Sequence, residues 1–189
     1  MTTAKIFTIV LLLGAGASVL AQPADGQPEV FTGTAQAKNA TGAVSGTLVV
    51  RLRRVTLQFD KTAVETALKE GGYPRFLTAI RNAPEVGQLV LGGGAPFSIR
   101  YARERVDGTG RRLILVTDKP VFFVGGARPN AKPRAGYETA LIQLQVNDGG
   151  SGTGMMAPAA RVKPGGEAGV RIDNYADEPL ALKVTRQTP

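Results

Sequence analysis

The chain has 189 residues, no cysteine, no histidine and no tryptophan, and its 23 basic side chains against 15 acidic ones give a net charge of +8. Without thiol or imidazole there is no Ser-His-Asp or Cys-His nucleophile system, no zinc held by nitrogen or sulfur, no haem with ordinary axial ligands and no thiol redox chemistry. Carboxylate chemistry, a Ser-Lys or Thr-Lys pair and an oxygen-liganded cation stay open, although no Ser-x-x-Lys occurs.

Lys5 is the only charge among the first 24 residues, and an apolar run from Ile6 to Leu13 follows it, continuing weakly to Leu20. Val19 and Ala21 suit the −3 and −1 pockets of a signal peptidase, so residues 1–21 are expected to be a signal peptide cut before Gln22; Ala15 and Ala17 allow an alternative cut after Ala17. The run is short of the roughly 20 apolar residues that span a bilayer. No later stretch approaches that length, so no transmembrane segment is expected in the mature chain. The expected location is exported, either periplasmic or extracellular, and the absence of cysteine leans toward a bacterial envelope.

Residues 22–29, with two prolines and a glycine, read as a disordered lead-in, and residues 30–187 as a single β-rich domain. The expected fold is mainly β, a single-domain antiparallel sandwich or partly open barrel with one short helical excursion at about residues 62–82. From Val44 to Phe59 the apolar residues alternate first on even positions (Leu48, Val50, Leu52) and then on odd ones (Val55, Leu57, Phe59). A period of two makes this a change of face. It implies a β-bulge near Arg53-Arg54, or a strand crossing between sheets there, with Leu52 and Val55 both buried.

Thr62 and Glu65 form a T-x-x-E capping box, and Val64, Ala67 and Leu68 recur at helical spacing until Gly71-Gly72. Pro74 suits the first turn of a second helix whose stripe is Phe76, Leu77 and Ile80, ending before Pro84. This excursion reads as a lid packed across an open sheet or barrel end. Gln88–Leu91 follows. A hairpin comes next, with Phe97, Ile99 and Tyr101 on one arm, a turn at Asp107–Gly110, and Leu113 and Leu115 on the other. Later strands are expected at Val121–Val124, Tyr137–Val146 (Ala140, Ile142, Leu144 and Val146 on one face), Met155–Val162, Val170–Tyr175 and Leu180–Thr185.

The glycine runs carry no ligand motif. Gly92–Gly94 lacks the Lys-Ser/Thr of a phosphate loop, and Gly149–Gly154 has glycine where a calcium nonapeptide needs aspartate, so both read as turns. No catalytic residue, cofactor site or metal site is assigned.

The remaining feature is basic. Arg100, Arg103, Arg105, Arg111 and Arg112 lie on the two arms of one hairpin, and arginine holds carboxylate or phosphate in a two-pronged geometry. Strict alternation sets Arg103 and Arg105 on the face of Phe97, Ile99 and Tyr101, with Arg100 opposite. An anion site of Arg103, Arg105, Arg111 and Arg112 then requires these side chains to meet near the Asp107 turn. The plainer alternative is a solvated outer face, since Glu104 and Asp107 are interspersed and edge charges block strand pairing. With no helical basic region or nucleic-acid motif, nucleic acid is not the expected partner.

Met156-Ala-Pro-Ala-Ala-Arg-Val-Lys163 and Ile172-Asp-Asn-Tyr175 resemble a group of uncharacterised secreted bacterial β-rich proteins. The resemblance covers the C-terminal third; it implies export and a β-rich fold and brings no activity or site. The expected function is a non-catalytic exported binding or structural module of the cell envelope, its partner an anionic envelope component. The alternatives are a carboxylate-based hydrolase working outside the cytoplasm, and anionic lipid or polymer binding through the arginine hairpin. Two or more acids converging in one cleft would favour the hydrolase, and a closed apolar core the module.

Overall fold

Alternating apolar residues along the strands are buried on the inside of one closed sheet. The computed structural model describes residues 27–39, 42–108, 110–121, 135–164, 170–174 and 179–188. The strands are β1 (Glu29–Asn39), β2 (Gly42–Leu52), β3 (Gly87–Leu91), β4 (Phe97–Asp107), β5 (Gly110–Thr117), β6 (Thr139–Asn147), β7 (Ser151–Pro164), β8 (Val170–Asn174) and β9 (Leu180–Arg186), with a helix, α1 (Gln58–Asn82), between β2 and β3. Neighbours run β6-β5-β4-β3-β2-β1-β9-β7, and β6 pairs back onto β7, so eight antiparallel strands close a barrel. The chain is mainly β, and the sheet is closed, in place of the expected sandwich or partly open barrel. The long β7 makes the closure. Its first residues bond both β9 and β6, and its last ones bond β8, which leaves no gap between β6 and β9.

Phe31, Leu48, Val50, Leu89, Ile99, Leu113, Leu115, Ile142, Leu144, Met156 and Leu182 fill the interior and are fully buried. Each contributes roughly 1.5–3 kcal/mol by leaving water. Ala140, Ile142, Leu144 and Val146 face inward together, as their alternation implies. Closure also needs backbones to approach closely. Gly33 and Gly152 lie on the two strands flanking β9, both opposite Val184. A Cβ on Gly33 would meet the Lys183 carbonyl oxygen at 1.8 Å, and one on Gly152 the Gln145 carbonyl oxygen at 2.6 Å, so side-chain-free positions let the wall bend there. Gly152 and Gly154 are therefore strand residues, and the turn expected over Gly149–Gly154 is confined to residues 148–150.

Two expectations about alternation are corrected. The strand does break after Leu52, where β2 ends with a bend at Arg53: the Arg53 and Arg54 N–H groups both donate to the Val86 carbonyl, at 2.9 and 3.3 Å, the two-to-one pairing of the expected bulge, but the burial expected beyond it does not follow. Leu52 is buried, whereas Val55 is 41% and Leu57 57% exposed. The buried residue is Thr56, whose N–H donates to the Ala102 carbonyl and whose hydroxyl accepts from the Ala102 N–H. Those bonds fill the place beside β4 that β3 leaves, and the polar Thr56 wins it because the backbone of β4 needs partners there. The Phe59 side chain lies outside the described residues.

A second irregularity lies in β4, where the register shifts between Ile99 and Tyr101. The extra residue, Arg100, is held by Asp118 at 3.2 Å and by the Ala83 carbonyl at 3.1 Å. Ile99 and Ala102 consequently face the barrel interior, and Tyr101 faces outward.

The helix starts four residues before the expected capping box, with Leu57 as its N-cap and no side-chain cap. Gly72, at φ 61°, breaks α1 into two segments, and Pro74 opens the second. Next to that break, the Tyr73 hydroxyl accepts from the Glu138 N–H at 2.8 Å and donates to the Ala160 carbonyl at 3.3 Å. Ala83 is extended ahead of Pro84, as proline requires. The expected lid does not cover a barrel end. Val64, Leu68, Tyr73, Phe76 and Ile80 pack on the outside of the wall, against Tyr101, Val116, Leu141, Ala157, Ala160 and Val162. Residues 122–124 of the expected strand Val121–Val124, and the segments 165–169 and 175–178, lie outside the described residues. Among the described residues no helix is long and apolar enough to cross a membrane.

Candidate functional site: a cleft between the helix and the barrel wall

Three neighbouring strands present rows of outward side chains in register beneath α1. The first row is Arg105, Arg112 and Gln145; the second Arg103, Ile114 and Gln143; the third Tyr101, Val116 and Leu141. From the β4–β5 hairpin tip toward the middle of the wall the surface thus grades from cationic to apolar. The bulge at Arg100 creates this arrangement, because it turns Tyr101, Arg103 and Arg105 to the same outer face as Arg112.

The helix supplies the roof. Val64 and Leu68 are one turn apart and face the wall, and Glu65 and Lys69, one position later, stand along its rim. Between roof and floor is a cavity of about 330 Å³, also lined by Phe76 and Val162. Its size is at the lower end of small-molecule pockets.

A latch joins the two sides. Glu65 Oε1 accepts from the Tyr101 hydroxyl at 3.1 Å and from Arg103 Nη1 at 3.4 Å. Burial and the neighbouring Glu65 carboxylate push the Tyr101 phenol well above its ordinary value, so it stays a donor. Arg103 and Glu65 are both over a third exposed, and their ion pair is weak. Among the described residues Arg105 and Lys69 make no hydrogen bond or ion pair. Arg112 donates to Gln145 Oε1 at 3.3 Å.

Of the four arginines expected to form an anion site, Arg103, Arg105 and Arg112 line this cleft. Arg111 does not join them. It has the parity of Leu113 and Leu115, faces the barrel interior and caps one end of the core, 5.7 Å over the Phe31 ring. It donates to Glu104 at 3.0 Å and to Glu29. Burial opposes its charge, but those two carboxylates outweigh burial and hold its guanidinium above the usual range. Arg100 braces the bulge, and Arg53 pairs with Glu85. Glu85 also accepts from Ser98 and Gln88, and the Ser98 bond together with the Arg53 charge holds its carboxyl below the usual value.

Sequence reasoning missed the roof and the apolar floor. The available signal was in β5 and β6: Leu113-Ile-Leu-Val116 and Ala140-Leu-Ile142 are apolar on both faces, which a barrel wall shows only where something covers its outside. Among the described residues no group of three or more acidic side chains stands together to hold a metal, and Glu65 is the acid that lines the cleft. Compared with protein-family models, curated proteins and solved structures, the chain matches none.

Proposed function

We propose that this protein is an exported, non-catalytic binding module that takes a small anionic ligand in the cleft between α1 and the barrel wall. One observation carries the reading. Arg105 and Arg112 are direct cross-strand partners at the cleft mouth, and like charges directly opposite each other destabilise a sheet. An anion between them would turn that repulsion into a two-sided attraction. Lys69 and Arg103 add to the positive field, against the single carboxylate of Glu65.

The rest of the molecule supports a binding scaffold working in water. The barrel interior is a packed apolar core, and the outward positions Gln36, Thr47, Arg51, Lys183 and Thr185 are exposed and polar. That is the reverse of a lipid-spanning barrel. A hydrolase needs a second carboxylate facing the first across the cleft, and Glu65 has no such partner among the lining residues. Export rests on residues 1–21, and an intact mass beginning at Gln22 in an exported fraction tests it; a mass retaining residues 1–21 in membranes argues against it.

The binding site is tested with anilinonaphthalene sulfonate, an anionic fluorescent probe. The double variant Arg105→Gln/Arg112→Gln should weaken its binding by about tenfold or more, and the native affinity should fall steeply between 0.1 M and 1 M salt as screening shortens from about 10 Å to about 3 Å. Equal, salt-insensitive binding by both proteins would remove the site.

A further inference from the structure

We infer that the ligand of this cleft is a single-chain fatty acid, its carboxylate between Arg105 and Arg112 and its hydrocarbon chain lying on the wall beneath α1. The inference rests on the binding reading above and adds the ligand's chemical class. Three observations carry it.

The floor is graded. On β5 the outward residues run Arg112, Ile114, Val116, and on β4 Arg105, Arg103, Tyr101. A ligand matching this order has a charge at one end and hydrocarbon at the other. Two steps of two residues along an antiparallel strand separate the first row from the third, about 14 Å. An extended backbone advances roughly 3.5 Å per three bonds, so an aliphatic chain of about a dozen bonds covers that distance.

Most of the apolar lining residues are aliphatic. Of the eight apolar or aromatic lining residues, Val64, Leu68, Ile114, Val116, Leu141 and Val162 are aliphatic, and Phe76 and Tyr101 are aromatic. The Tyr101 ring is tied by its hydroxyl to Glu65.

The space is narrow. A volume of about 330 Å³ suits one chain rather than the two of a diacyl phospholipid. The helix closes the chain away from water, while the exposed Arg105 leaves the head at the surface.

The test uses the purified protein, with dodecanoate, hexanoate and dodecanol each titrated as displacers of anilinonaphthalene sulfonate below their micelle concentrations. Dodecanoate should displace the probe at least a hundredfold more tightly than hexanoate, because six more methylene groups leave water. Dodecanol, without the charge, should be at least tenfold weaker than dodecanoate. Ile114→Asn should weaken dodecanoate by about tenfold while leaving hexanoate unchanged, and its thermal melt shows whether the barrel is intact. If that variant unfolds, the comparison of ligands on the native protein decides alone. Equal displacement by dodecanoate and hexanoate overturns the fatty-acid inference and leaves the anion site standing. Dodecanol as tight as dodecanoate overturns the head-group assignment. Failure of the probe itself to bind overturns both readings.

Discussion

Arg111 and Arg112 are consecutive in β5 and stand on opposite sides of the barrel wall: Arg111 lies over the Phe31 ring inside, and Arg112 lines the cleft outside. Their substitutions should therefore separate stability from binding. Arg111→Gln leaves Glu29, whose side chain is 11% exposed, with only the longer Arg186 contact at 3.6 Å, and should cost about 2 kcal/mol in urea unfolding. Ligand affinity should not change. Arg112→Gln should lower affinity and cost less in unfolding free energy than Arg111→Gln, about 1 kcal/mol or below, since its bond to Gln145 is on the outer face. A reversed pattern would show the two faces wrongly assigned.

The Tyr101 latch makes a prediction at alkaline pH. Its phenol is raised above 10.0 in the folded protein, first by burial and then by Glu65. The folded state thus holds this proton more tightly than the unfolded chain does. The stabilisation is complete below pH 10 and is lost as pH rises above it. At pH 7 Tyr101→Phe should cost about 1 kcal/mol, the worth of its hydrogen bond. The gap between native and variant should narrow as pH rises above 10; a constant gap would count against the latch.

Acid should act on Glu85. Its carboxyl is held below 4.5 by the Ser98 hydroxyl and by Arg53, so its contribution is present above that value and disappears as pH falls through the folded-state pKa. Ser98→Ala should be less stable than the native protein by about 1 kcal/mol at pH 7. The two should converge in unfolding experiments as the solution is acidified below pH 4.5, and parallel acid profiles would contradict the assignment.

Barrel closure has its own test in two glycines. Gly33→Ala places a methyl group 1.8 Å from the Lys183 carbonyl oxygen and should destabilise by about 3 kcal/mol or more, since backbone on both strands must move. A Cβ on Gly94 meets only the Leu91 carbonyl oxygen, at 3.4 Å, so Gly94→Ala should stay within about 0.5 kcal/mol of the native protein. Thermal melts of the two variants side by side check this.

Much of the fold was legible because period and turn chemistry are local. The inward row Ala140, Ile142, Leu144 and Val146, the β4–β5 hairpin around Gly108, the helix break at Gly72 and the stop before Pro84 each follow from a few adjacent residues. So did the two helical stripes, although Leu57 rather than the Thr62 box begins the helix.

Closure of the sheet, the faces of its charged residues and the existence of the cleft depended on contacts between distant segments. Whether β7 meets β6 as well as β9 is settled by pairing across the barrel, and no local window of sequence carries that information. The face of Arg103 and Arg105 turned on one inserted residue, because a period of two converts a single bulge into a reversal of every side chain beyond it. By itself the sequence determined an apolar, cysteine-free β-rich domain with a basic hairpin. Only the tertiary structure decided that Arg111 caps the core while Arg105 and Arg112 face each other at the mouth of an apolar cleft, since the helix that roofs that cleft comes from a segment more than thirty residues earlier in the chain.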